Sequence, residues 1–187
     1  LWGMVALRPG ELPASPEVGR YLRAVAAVEA TAGAVDTVPA YRAATQRWPE
    51  HSIAWLGLGN ASYAAGALQQ AAAAYRRALD LSPGDAVALN NLAYLLQQQG
   101  DPRAEEFARR AHELRPDIPQ IKDTLGWILV SNGKVEEGRG LLESAHAAAP
   151  DEGEIAYHLA VALEKSGEPA KSAELLRMAL AAEQPFE

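Results

Sequence analysis

The chain has 187 residues, 17 Lys plus Arg against 24 Asp plus Glu, a formal charge of −7 and no cysteine. That composition excludes disulfides, thiolate metal sites and a cysteine nucleophile, and it supplies no clustered basic face for general nucleic-acid binding. No run approaches the roughly 18 apolar residues a membrane span needs, so a soluble chain long enough for one elongated domain is expected.

In chain order, the first segment is the apolar run Leu1-Trp-Gly-Met-Val-Ala-Leu7, followed by Arg8-Pro-Gly-Glu-Leu-Pro-Ala-Ser-Pro16. It lacks the basic start and the length of a complete signal peptide. Two readings stand: an N-terminal arm packed on the first helices, or the last strand of a preceding domain with a proline-rich linker. Trp2, Met4, Val5 and Leu7 have no repeat partner, so the run is expected to dock. It would dock on the first helix pair, or on a neighbouring copy near Tyr94 and Trp127, giving a homo-oligomer. Residues 1–16 are therefore set apart from a repeat region over 17–187.

Beyond that linker a beat sets in. Glycines stand at Gly66, Gly100, Gly133 and Gly167, prolines at Pro49, Pro83, Pro116 and Pro150, each series stepping by 34, 33 and 34. A fixed period of this size predicts stacked helical hairpins, because one hairpin cannot bury its own apolar face. The helices expected are Ser52–Ala65 with Leu68–Leu81, Ala86–Gln99 with Arg103–Leu114, Pro119–Asn132 with Val135–Ala148, and Gly153–Ser166 with Ala170–Ala182. Each glycine falls where a helix C′ residue belongs. Asp85, Asp117 and Asp151 are expected N-caps, and Asp151 with Glu154 has capping-box spacing. Gly100 to Pro116 is one residue short, which locates a deletion near Asp101-Pro102-Arg103, where proline fits a first helical turn.

Trp55, Leu58, Gly59, Ala71, Tyr75, Ala78 and Pro83 carry a resemblance to the tetratricopeptide repeat family, whose pattern they fill in one unit. Later units offer Leu92, Ala93, Ala104, Ala108, Ala111 and Pro116, then Leu125, Gly126, Gly138, Leu142, Ala145 and Pro150, then Leu159, Ala160, Ser172, Leu176 and Ala179. Upstream, Tyr21, Ala24, Val28, Tyr41, Ala44 and Pro49 keep the frame of a degenerate first repeat with its turn at Gly33. The resemblance implies an all-α, right-handed superhelical solenoid of about five antiparallel pairs, 17–48, 52–82, 86–115, 119–149 and 153–182. The repeats would run 17–50, 52–84, 86–117, 119–151 and 153–185. The linker Arg8-Pro9-Gly10-Glu11-Leu12-Pro13 further resembles the junction in bacterial papain-like, bacteriocin-processing-type cysteine peptidases that carry such repeats after the catalytic domain. It brings no catalytic residue with it.

The family's first helices line a concave groove, which implies a protein or peptide partner. The residues implied are Asn60, Tyr63, Asn90, Asn91, Tyr94, Gln98, Asp123, Trp127, Tyr157 and His158, with an aromatic in each of four successive units. The alternative is that these rings fill the interior of a tight superhelix. The family's chaperone-tail clamp is not expected. Asn60 and Asn91 match its asparagines, but Leu56, Gln120 and Thr124 replace its basic residues, leaving a terminal carboxylate no cation.

Chemistry is sparse. His51, His112, His146 and His158 have no metal spacing, the serines no nucleophile context, and the glycines no phosphate loop. Glu105-Glu106 and Glu136-Glu137 open second helices and are expected to be solvated there. No catalytic, cofactor or metal residue is assigned, and the reading is a scaffold module without turnover of its own. The alternative is the non-catalytic, partner-positioning tail of a cysteine peptidase. Arginine outnumbers lysine 13 to 4 amid abundant alanine, pointing to a GC-rich bacterial genome and to cytoplasm or periplasm.

Overall fold

A computed structural model describes residues 16–32 and 37–182. The arm and linker of residues 1–15, the docking expected of them and the turn at Gly33 lie outside the described residues. Ten helices run in chain order: α1 Pro16–Ala32, α2 Val38–Arg47, α3 Ser52–Ala64, α4 Leu68–Leu81, α5 Ala86–Gln98, α6 Ala104–Leu114, α7 Pro119–Ser131, α8 Val135–Ala148, α9 Gly153–Lys165 and α10 Pro169–Ala182. No strand occurs among the described residues. The class is the all-α solenoid of helix pairs that the period predicts. Among the described residues no helix is long and apolar enough to cross a membrane.

Each tight turn is made the same way. Gly66, Gly100, Gly133 and Gly167 have φ of 74°, 68°, 82° and 82°, the left-handed region that side chains disfavour. The next residue then reaches back: Ala67, Asp101, Lys134 and Glu168 each donate an N–H to the carbonyl of Ser62, Leu96, Leu129 and Leu163, all at 2.9 Å. These bonds satisfy carbonyls that the helix end would leave orphaned.

The chain divides into two compact units, one running to Leu95 and the other from Leu96, so the division falls within α5. In the first unit, Val18, Leu22 and Val25 of α1 pack with Tyr41, Ala44, Ala54, Leu58 and Ala61, and Trp48 and Trp55 close the cluster. Their i, i+4, i+7 spacing sets the buried stripe of α1. Ala24, expected to hold the repeat frame, is instead exposed, because that stripe runs one residue out of register with the family pattern. Tyr21 donates its hydroxyl to the Ala40 carbonyl at 3.0 Å, and the Trp55 indole N–H donates to the Pro49 carbonyl at 2.8 Å. A Cβ on Gly57 would lie 2.1 Å from the Tyr41 ring and one on Gly59 2.3 Å from the Tyr75 ring, so both rings lie against bare backbone.

In the second unit, α7 packs on α8 and α9 on α10. Val130, Leu142, Leu159, Ala162 and Leu163 form its described core, with Leu175 against them. The shortened pair is shortened where expected: α6 begins four residues after its turn glycine, whereas α4 and α8 begin two after theirs. Pro102 lies in a turn just ahead of that helix rather than within its first turn, held by the Asp101 carboxylate accepting the Arg103 N–H at 2.9 Å.

Of the three expected caps one forms. Asp85 Oδ1 accepts the N–H groups of Val87 and Ala88, both at 3.0 Å. Asp117 and Asp151 do not cap, because each stands two places before the first helical residue and Ile118 and Glu152 hold the cap positions. Asp117 turns to Arg115, whose guanidinium holds its carboxyl below the usual range. The Asp151–Glu154 box does not form either, as α9 has no side-chain cap.

Candidate partner-binding site

The first-helix positions gather into two clusters, one in each unit. In the first, α3 and α5 bring Asn60, Tyr63, Asn90, Asn91 and Tyr94 together. Asn60 Oδ1 accepts from the Tyr75 hydroxyl at 3.0 Å and from Asn91 Nδ2 at 2.9 Å. Asn90 Nδ2 reaches Asn91 Oδ1 at 3.4 Å. All three asparagines are buried, so their carboxamides tie α3 and α5 together while facing one another. Burial, then the neighbouring Tyr63 phenol, pushes the Tyr75 hydroxyl well above its ordinary value, keeping it a donor. Beside this network Tyr63 and Tyr94 meet edge to face with centroids 6.1 Å apart. Tyr63 is half-buried, Tyr94 buried and Gln98, at the end of α5, exposed.

In the second cluster α7 and α9 are adjacent, and they set His158 between two carboxylates. Both Asp123 oxygens lie near His158 Nδ1, at 2.9 and 3.0 Å. A carboxylate can only accept, so Nδ1 carries the hydrogen. Nε2 faces Glu154 Oε1 at 4.0 Å. Asp123 is 1% and His158 5% exposed. The Trp127 indole stacks on the imidazole at 4.4 Å and 14°, and lies 6.4 Å from the Tyr157 ring. Trp127 is half-buried, and Tyr157, at 52%, is one of the exposed large apolar side chains. Thus Tyr63, Gln98, Trp127 and Tyr157 keep appreciable surface, while the polar groups between them fix the helices.

Sequence reasoning passed over Glu154 as a neighbour of His158, although its i, i+4 spacing from that histidine was a usable signal. It also took Glu105 for a solvated helix start. Glu105 is instead a hub: its carboxylate accepts from Lys134 at 2.7 Å, Asn132 at 3.0 Å and Arg109 at 2.9 Å. Lys134 above all, against a smaller burial effect, holds Glu105 down to about 2. Two of its partners, Asn132 and Lys134, sit one repeat later, and a contact between repeats leaves no mark in local spacing. Elsewhere, burial and then Lys122 push His112 below its usual value. Among the described residues no group of three His, Asp or Glu could hold a metal.

Comparison with known proteins agrees with this architecture. A tetratricopeptide-repeat family model matches residues 36–86 and 124–187, more than half of the chain, and a second matches 74–106. A TPR repeat-containing protein of Pseudomonas aeruginosa is 39% identical over 79 residues, covering 41% of this chain and 13% of its own length. Among solved structures, MamA of Desulfovibrio magneticus aligns over 91% of this chain and 97% of its own, with a TM-score of 0.72 at 14% identity. PilF of Pseudomonas aeruginosa gives 0.74 at 17%, over 90% of this chain and 78% of its own. YrrB, a TPR protein with an unusual peptide-binding site, gives 0.65 at 18%, over 87% and 84%. With the period, the glycine turns and the small-residue helix crossings all in place, the chain belongs to the tetratricopeptide repeat family.

Proposed function

We propose that the chain is a protein-interaction module that binds a peptide or protein segment on its first helices and turns over no substrate of its own. One observation carries this: successive first helices bring aromatic rings together in pairs, Tyr63 with Tyr94 and Trp127 with Tyr157, on a base of buried polar bonds. Rings held in this way offer contact area with little further loss of side-chain freedom, which is what a binding face requires. The peptide-binding site named for YrrB, on the same kind of fold, supports the reading. Affinity capture with the intact chain, followed by titration of the isolated partner, tests it. Trp127→Ala should weaken that partner about tenfold or more, measured below the variant's own unfolding transition because the ring also stacks on His158. Undiminished binding by both Trp127→Ala and Tyr63→Ala would remove the first helices from the site.

The likeness of Arg8–Pro13 to a peptidase junction favours a second reading, in which the same module positions substrate for a catalytic domain. An open reading frame encoding paired Cys and His upstream of Leu1 would support it, and a frame without them would end it.

A further inference from the structure

We propose that His158 is a positioning residue: anchored by Asp123, its imidazole is the platform that holds the Trp127 indole in the orientation a partner meets. The proposal rests on the peptide-binding reading above and identifies what prepares one of its contact rings.

The anchor and the ring it serves come from one helix. Asp123 and Trp127 are four residues apart on α7, so their side chains leave the same face one turn apart. His158 arrives from α9 and meets both. Its Nδ1 lies 2.9 and 3.0 Å from the two Asp123 oxygens, whereas Nε2 stands 4.0 Å from Glu154, beyond hydrogen-bond reach. The ring orientation is therefore set from Nδ1, and a half-turn of the imidazole would break both short contacts. Water hardly competes for them, since Asp123 and His158 are both buried. In that orientation the imidazole lies 4.4 Å from the indole and within 14° of parallel. Trp127 itself is only half-buried, so the indole has one supported face and surface left over for contact.

The first unit joins the same two repeat positions by different chemistry. Asn60 and Asn91, like Trp127 and His158, stand 31 residues apart on first helices, and Asn91 Nδ2 donates to Asn60 Oδ1 at 2.9 Å. Both carboxamides are buried, so that contact closes on itself and ties the helices. An indole is longer than a carboxamide and extends past the contact. The α7–α9 contact thus ties helices too, and in addition steadies a side chain that reaches the surface. A ring already steadied loses less freedom when a partner lands on it, which strengthens binding.

The test passes a randomised nine-residue peptide library over the immobilised full chain and carries forward the retained peptides that Trp127→Ala releases. The variant is His158→Asn. Its carboxamide N–H can replace Nδ1–H toward Asp123 while the platform under the indole is removed, and Asn91 shows that the fold accepts asparagine at this repeat position. For one such peptide, titration below the variant's own unfolding transition should show binding weakened about three- to tenfold. The Trp127 indole N–H, assigned by its loss in Trp127→Phe, should have a relaxation order parameter of about 0.85 in the parent and below about 0.6 in the variant. Asp123→Asn keeps the accepting oxygen without its charge; it is the second variant and should move both readouts the same way by less. An indole as ordered in these variants as in the parent, or an unchanged affinity, makes His158 a structural tie and overturns the proposal with peptide binding intact. Retained peptides that Trp127→Ala does not release overturn it in the same way. If the parent chain retains no peptide, the peptide-binding reading falls and takes the proposal with it.

Discussion

Gly126 and Gly138 let the backbones of α7 and α8 touch. A Cβ on Gly138 would stand 2.5 Å from the Gly126 carbonyl oxygen, and one on Gly126 2.9 Å from that of Gly138. Backbone cannot rotate out of the way as a side chain can, so the helices themselves must part. Gly138→Ala should therefore cost about 2–3 kcal/mol. Gly140→Ala, two residues on in the same helix with nothing within 4 Å of its Cβ, should add about 0.5–1 kcal/mol. Urea unfolding of the two variants checks both signs, and equal losses would remove the close approach as the cause. The small residues at these crossings were legible as small. What Asn60 and Asn91 do was not, because their partner Tyr75 arrives from a second helix and only the fold shows it turned inward.

Helix ends show where reading by element succeeds. A glycine that needs positive φ marks its own place, so the helix C-termini fell within one residue of expectation for α3, α5, α7 and α9. An aspartate before a helix is a weaker signal, since it caps only if it directly precedes the first helical residue. Asp85 does so for α5, whereas Asp117 and Asp151 stand one place early. Accordingly Asp85→Ala should destabilise by about 1 kcal/mol. Asp117→Ala and Asp151→Ala should leave the unfolding transition where it was. A cost at Asp151 as large as at Asp85 would mean a cap that this geometry lacks.

For the whole molecule the decisive quantity is cohesion between successive pairs, because a repeat array is held by neighbour contacts rather than by one centre. In the second unit charge supplies part of it. Glu105 binds Lys134, Arg109 binds Glu137 at 2.8 Å, and Arg139 binds Glu168 at 2.5 Å. Glu105 titrates near 2 in the fold against an ordinary 4.5, so its contribution is complete above about pH 4.5 and is lost as pH falls toward 2. The amount is on the order of 1–2 kcal/mol, reduced from the full linkage value because Lys134 and Arg109 remain in contact with water. Glu105→Gln should flatten stability over that acid range and leave the curve above pH 5 parallel to the parent. The family was legible from the 34-residue beat alone. The stitching was not, for it joins residues 28 or 29 positions apart whose charges look like ordinary helix-surface acids and bases.

The four glycine turns carry one more consequence. Nothing lies within 4 Å of a Cβ at Gly66, Gly100, Gly133 or Gly167, yet each φ lies in the left-handed region. What excludes a side chain there is chirality, not volume. L-alanine at Gly133 should therefore cost about 1–2 kcal/mol despite ample room, whereas its mirror image, D-alanine introduced by semisynthesis, should match or exceed glycine by restricting the unfolded chain. The turn inside each helix pair would then be a stereochemical checkpoint, and thermal unfolding of the two epimers, identical in composition, reads it directly.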